Sequence, residues 1–158
     1  MDYKKLQNGS DIRGVALEGV AGQSVNLTEE VCKNIGRGFA LWVKNRLQKD
    51  ELRVSVGRDS RLSGKMLADW LCTAMAEQGV FVTDIGMAST PAMFMSTVTG
   101  DNPYDAAVMI TASHLPFNRN GFKFFTRVGG VLTIAKELSG FLLSCDGLET
   151  DKLANFIA

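Results

Sequence analysis

Thr111, Ser113, His114 and Lys123 fall within one stretch, DAAVMITASHLPFNRNGFKFFT, running from Asp105 to Thr126. An apolar run, Ala106 to Ile110, reads as a buried strand and ends in a polar loop. That loop carries the only histidine of the chain beside a serine, and a second strand returns through Phe122 to Phe125. Loops at strand ends can hold polar groups that a sheet interior excludes, so chemistry is expected there.

Two kinds of chemistry compete for these residues. A serine hydrolase is disfavoured on three grounds. Neighbouring side chains in an extended loop point in opposite directions, no G-x-S-x-G elbow exists, and there is no second histidine to act as base. Dinucleotide and P-loop readings fall away because neither G-x-G-x-x-G nor a Walker sequence occurs. Phosphate chemistry of another kind remains. A strand-end serine has cations available from Arg13, Arg58, Arg61 and Lys123.

The elements that must position these groups are legible as alternating strands and helices. Asp11 to Leu17 is a short extended segment, and Gly19 to Gly22 a turn. Thr28 suits an N-cap, with Glu29 and Glu30 at the positive end of a helix dipole. Val31, Ile35, Phe39, Trp42, Val43 and Leu47 then recur at helical spacing to about Gln48. Gly36 and Gly38 inside that helix fit either close packing or a tolerated weak spot. Leu52 to Val56 is a strand ending in GRDSRLSG. Ser63 is placed to cap a helix with Leu67, Trp70, Leu71, Ala74 and Met75 as its apolar stripe and Gly79 as its stop. Val80 to Ile85 is a strand, and Thr90-Pro91 starts a third helix with threonine as cap. Val128-Gly129-Gly130 reads as a turn. Ile134 to about Leu143 and Leu148 to Ile157 read as further helices. The alternation predicts a three-layer α/β/α sandwich with a mixed, mostly parallel sheet, in one domain over residues 1–158.

Composition narrows the partners. Lys+Arg and Asp+Glu each total 17, so the formal net charge is zero. That gives no basic field for nucleic acid and no polybasic membrane segment. Cys32, Cys72 and Cys145 form no C-x-x-C pair and read as reduced packing thiols of a cytoplasmic protein. The first ten residues lack an apolar h-region, and no apolar run nears membrane-spanning length. The last helical pattern runs to the end of the sequence, which reads as a piece of something longer.

TASHLPFNRNGFK (Thr111 to Lys123) resembles the phosphoserine signature of the α-D-phosphohexomutases. SDIRG (Ser10 to Gly14), VGRDSRLSG (Val56 to Gly64) and STP (Ser89 to Pro91) resemble further signatures in the family's order. The resemblance covers essentially the whole chain and corresponds to the first of about four domains in such enzymes. It implies that Ser113 carries a phosphoryl group, exchanging it with a hexose phosphate (mannose or glucose phosphate) through a hexose bisphosphate. It also implies that Lys123 is a general acid/base or phosphate ligand, that Arg13 contacts phosphate or hydroxyl, and that His114 is a secondary proton-handling group. A phosphoserine carries about −1.5 to −2 charge, so cations must hold it against a second phosphate. Arg58, Asp59 and Arg61 are expected to brace the site through ion pairs.

The resemblance further implies Mg²⁺, bound through the phosphate on Ser113 and an aspartate-rich loop of a second domain. No D-G-D run occurs here. The remaining ligands, and the loops that choose the sugar, are expected from other domains of the same polypeptide. The isolated chain is therefore expected to fold without turning over sugar. A non-catalytic phosphosugar-binding module is the alternative. Leu115 stands where the family usually has asparagine, which blurs the subfamily.

Overall fold

In the computed structural model, residues 2–130 are described; Cys145 and the helices expected after Ile134 lie outside them. The strands are β1 (Gln7–Asn8), β2 (Asp11–Val15), β3 (Arg53–Arg58), β4 (Phe81–Met87), β5 (Ala106–Ile110), β6 (Arg119–Thr126) and β7 (Gly129–Gly130). The helices are α1 (Glu29–Leu47), α2 (Gly64–Glu77) and α3 (Thr90–Met95).

These strands form one mixed sheet in the order β1-β2-β6-β5-β3-β4, with β7 paired to β6. The β3–β4 and β3–β5 pairs are parallel, whereas β6 runs antiparallel to both β5 and β2. Hence β2, β5, β3 and β4 all point one way and β6 alone among the longer strands returns against them.

Side-chain alternation builds two cores. Val54, Val56, Ala106, Val108, Ile110, Phe122 and Phe124 face one side and pack under α1 and α2. Ala107, Met109 and Phe125 face the other and meet Met93 of α3. β5 is buried at every position, as a central strand covered on both faces must be. The α/β/α layering expected from the sequence is the layering found.

Local chemistry explains most element ends. Thr28 Oγ1 accepts the Val31 amide at 3.3 Å, and α1 carries Glu29 and Glu30 in its first turn and Lys44 and Arg46 in its last. Gly79, at φ +77, follows α2 as the left-handed stop. Two expected caps differ. Ser63 has helical backbone angles and makes no side-chain cap; its buried hydroxyl accepts the Asn120 amide at 2.8 Å instead. Ser89, not Thr90, caps α3, accepting the Ala92 amide, so Thr90 and Pro91 fill the first turn. The turn expected at Val128–Gly130 is shorter, because Gly129 and Gly130 pair with β6.

Gly36 settles one open alternative. A Cβ there would sit 2.9 Å from the Leu71 carbonyl oxygen and 3.1 Å from Ala74 Cβ, so the glycine lets α1 and α2 touch. Gly36→Ala is expected to destabilise by about 1–2 kcal/mol, overpacking outweighing the ~1 kcal/mol gain in helix propensity. Urea unfolding measures this, and a variant as stable as the parent contradicts it. Burial pushes the Cys32 and Cys72 thiols up to about 12, aided for Cys72 by Asp84 and Asp69, so both stay protonated.

Candidate active site

The polar loop between β5 and β6 takes its shape from groups borrowed elsewhere. Asp59, just past the end of β3, donates its amide to the Ile110 carbonyl at 3.2 Å. Its carboxylate accepts the Thr111 hydroxyl at 2.6 Å. Thr111 Oγ1 in turn accepts the amide of Ser113 at 3.0 Å. The serine backbone is thus tied through a threonine to an aspartate just beyond the end of the neighbouring strand.

Arg61 holds the rest. Its Nη1 donates to the carbonyls of Pro116 and Arg119 at 2.9 and 3.1 Å, and its Nη2 to those of Ser113 and Leu115 at 2.6 and 2.7 Å. Its Nε lies 3.5 Å from Asp59 Oδ2, an ion-pair contact. One planar guanidinium therefore gathers three carbonyls of the loop and the first carbonyl of β6, a geometry suited to arginine's fork. Leu115 contributes its carbonyl to this clamp, so the asparagine-to-leucine departure leaves that bond intact. The bracing role expected for GRDSR divides: Asp59 and Arg61 shape the loop, while Arg58 pairs with Asp84 of β4 at 3.2 Å.

Ser113 sits at φ +56, one of two described non-glycine residues with positive φ. Left-handed backbone costs an L-residue roughly 1–2 kcal/mol. It also turns the exposed hydroxyl back toward His114, whose Nδ1 lies 3.4 Å from Oγ. The opposed directions expected of adjacent loop residues do not hold, because the backbone there is not extended. The other two grounds against a hydrolase stand.

Lys123 and Arg13 meet on the opposite face of the sheet from Phe122. Ile12 pairs with Phe122 and Arg13 with Gly121, so Asp11 and Lys123 are neighbours on that face. Asp11 Oδ2 accepts Lys123 Nζ at 2.7 Å and Arg13 Nη2 at 2.8 Å. Gly121 lets Arg13 lie flat, since a Cβ would sit 2.8 Å from Arg13 Cγ and collide with the Ile12 carbonyl. The Thr111 amide donates to the Gly121 carbonyl at 3.0 Å, so Arg13 and Thr111 flank Gly121 on adjacent strands. Two strand spacings put their backbones roughly 10 Å apart. Serine and cations thus share one end of the sheet: Ser113 with His114, Lys123 with Arg13.

Sequence reasoning overlooked Asp11. The signal was available, since Asp11 and Arg13 are two apart on a strand and so share a face. Among the described residues, no cluster of three His, Cys, Asp or Glu side chains could hold a metal ion. The described side chains alone therefore do not build the Mg²⁺ site that the resemblance implies.

A family model described as phosphoglucomutase/phosphomannomutase, alpha/beta/alpha domain I, matches residues 4–139. The chain belongs to this family. A phosphoglucosamine mutase of Citrifermentans bemidjiense is 38% identical over 135 residues, which cover 85% of this chain and 28% of that protein. One of Myxococcus xanthus is 39% identical over 131 residues, 82% of this chain and 27% of that protein. Among solved structures, a phosphoglucomutase/phosphomannomutase family protein of Burkholderia thailandensis superposes with TM-score 0.72 at 30% identity, covering 92% of this chain and 31% of that one. The chain thus spans under a third of the length of the relatives it matches. Among the described residues no helix is long and apolar enough to cross a membrane.

Proposed function

We propose that this chain is the phosphoserine-bearing first domain of a multidomain phosphohexomutase. In the full-length protein it moves a phosphoryl group between the 1- and 6-positions of a hexose phosphate through a hexose bisphosphate. The relatives' name puts glucosamine phosphate first, ahead of the mannose and glucose phosphates that the motifs alone suggested. The free thiols of buried Cys32 and half-buried Cys72 fit a cytoplasmic setting.

The observation that carries this reading is the exposed Ser113 hydroxyl on a left-handed turn, clamped from behind by Arg61 and Asp59. A rigid turn presenting one oxygen outward suits a carrier that must meet two different hydroxyls of one sugar. In the first transfer a sugar oxygen bonds to phosphorus as the bond to Ser113 Oγ breaks; the sugar hydroxyl gives up its proton and Ser113 Oγ regains one. In the return transfer Ser113 Oγ bonds to the other phosphorus of the bisphosphate as the bond from that phosphorus to its sugar oxygen breaks, and both proton movements reverse. His114, 3.4 Å from Oγ, is our choice to exchange the serine proton, and Lys123 to exchange the sugar's. Arg13 and Lys123 hold the phosphate oxygens as charge develops. Metal ligands and sugar contacts come from the other domains, so the 158 residues alone isomerise nothing.

The test is phosphoryl capture. Full-length protein treated with glucose or glucosamine 1,6-bisphosphate and digested is expected to gain one phosphoryl group on the peptide containing Ser113. It should lose that group on adding hexose monophosphate. Labelling at another residue, or none, sinks the reading.

A further inference from the structure

Asp11 joins the two cations through a single atom. Its Oδ2 accepts Lys123 Nζ at 2.7 Å, Arg13 Nη2 at 2.8 Å and Arg13 Nε at 3.2 Å, while Oδ1 receives only the Ser10 hydroxyl at 3.3 Å. Its side chain is 7% exposed, against 15% for Arg13 and 25% for Lys123. A carboxylate so deeply placed is sustained only by paired cations, and two cations on adjacent strands repel unless an anion lies between them.

We propose that Asp11 is a positioning residue for phosphate: it fixes the spacing of Lys123 and Arg13 so that their unfilled N–H groups meet one phosphoryl group together. The proposal rests on the roles given above to those two cations. Nη1 of Arg13 and two protons of Lys123 have no hydrogen-bond partner among the described residues, so the cluster is pinned from one side and open on another. Two cations and one carboxylate leave a formal charge of +1 for an incoming dianion. Asp11 thus trades some attraction for geometry, because without it the pair would carry +2 and spread apart.

The opposite signs of those two effects make the idea measurable in the full-length protein. Asp11→Asn keeps the shape and removes the charge. Turnover of hexose phosphate is expected to fall about 10–100-fold in kcat, the cost of a misplaced catalytic group. KM should stay within roughly threefold, since both cations remain and the higher net charge offsets their looser spacing. In a Lys123→Met background, adding Asp11→Asn should cost less than roughly threefold more, as expected when one residue acts through the other. Asp11→Glu, which retains the charge but displaces it, should fold and show the same loss in kcat. Full kcat in either folded variant, or equal costs in both backgrounds, overturns the proposal.

If the parent protein turns over no hexose phosphate, the mutase reading fails by itself and a second measurement decides this one. Inorganic phosphate is expected to slow acylation of Lys123 by a succinimidyl ester, mapped by mass spectrometry, in the parent protein but not in Asp11→Asn. Protection that is absent, or equal in both proteins, refutes the role of Asp11 independently of any mutase activity.

Discussion

Replacing Arg61 with alanine is expected to destabilise the fold by about 2–4 kcal/mol, since a charged donor serving several acceptors is worth more than one ordinary hydrogen bond. In the full-length protein it should also lower kcat by on the order of 10²-fold or more, the scale set by small displacements of a reacting group. The reason is geometric. Four carbonyls between Ser113 and Arg119 converge on one guanidinium, and the backbone turn bonds, such as the Arg119 amide to the Pro116 carbonyl at 3.0 Å, do not gather all four. Arg61→Lys separates charge from shape: an ammonium has three donors and no plane, so it cannot reach all four carbonyls. Lysine is therefore expected to recover part of the stability and little of the turnover. Hydrogen exchange at the amides of residues 113–119 reads the loop directly and should quicken in both variants. A lysine variant with parental kcat would show that the loop keeps its shape without the clamp.

The legibility of this site in the sequence follows the range of the interactions involved. Thr28 was readable as a cap because the bond it makes reaches only three residues along the chain. Ser63 stood in an equally good local context, yet its hydroxyl serves Asn120 on a strand 57 residues away. Local pattern cannot reveal such a competitor. Ser89 and Thr90 are both competent caps, and the choice between them turned on one residue of register. Layering was legible because a central strand buried on both faces, β5, must be apolar throughout, whereas the strand order, with β6 inserted between β2 and β5, rests on pairings that no local pattern carries. The helices differ: Gly36 left close packing and weakness tied, and only the position of Leu71 decides.

The site itself was half legible. Ser113, His114, Lys123 and Arg13 were chosen by residue type and motif, and the fold sets them in two pairs at one sheet end. The backbone of Ser113 was misjudged as extended. Its left-handed turn depends on Thr111, Asp59 and Arg61 acting jointly, and no dipeptide rule contains them. Asp11 is hard to read from the sequence, because a carboxylate suits a phosphate site only once the two cations beside it are counted.

Removing the Ser113 hydroxyl is expected to have the largest effect of all. Ser113→Ala in the full-length protein should lower hexose phosphate turnover by on the order of 10⁴-fold or more, as losing a covalent carrier does. Its stability should stay within about 0.5 kcal/mol of the parent, because the exposed oxygen adds little to packing. Ser113→Gly is the sharper companion. It loses turnover equally but relieves the left-handed strain of roughly 1–2 kcal/mol. Against that stands the extra freedom of glycine in the unfolded chain, about 0.5–1 kcal/mol. The glycine variant should therefore match or exceed the alanine variant in stability, by up to about 1.5 kcal/mol in urea unfolding. Such a pair of results would locate the strain at the carrier residue, where a stiff outward-turned oxygen serves transfer at some cost to the fold. An alanine variant that still turned over hexose phosphate would end the carrier assignment, while a glycine variant clearly less stable than alanine would end the strain argument and leave the carrier untouched.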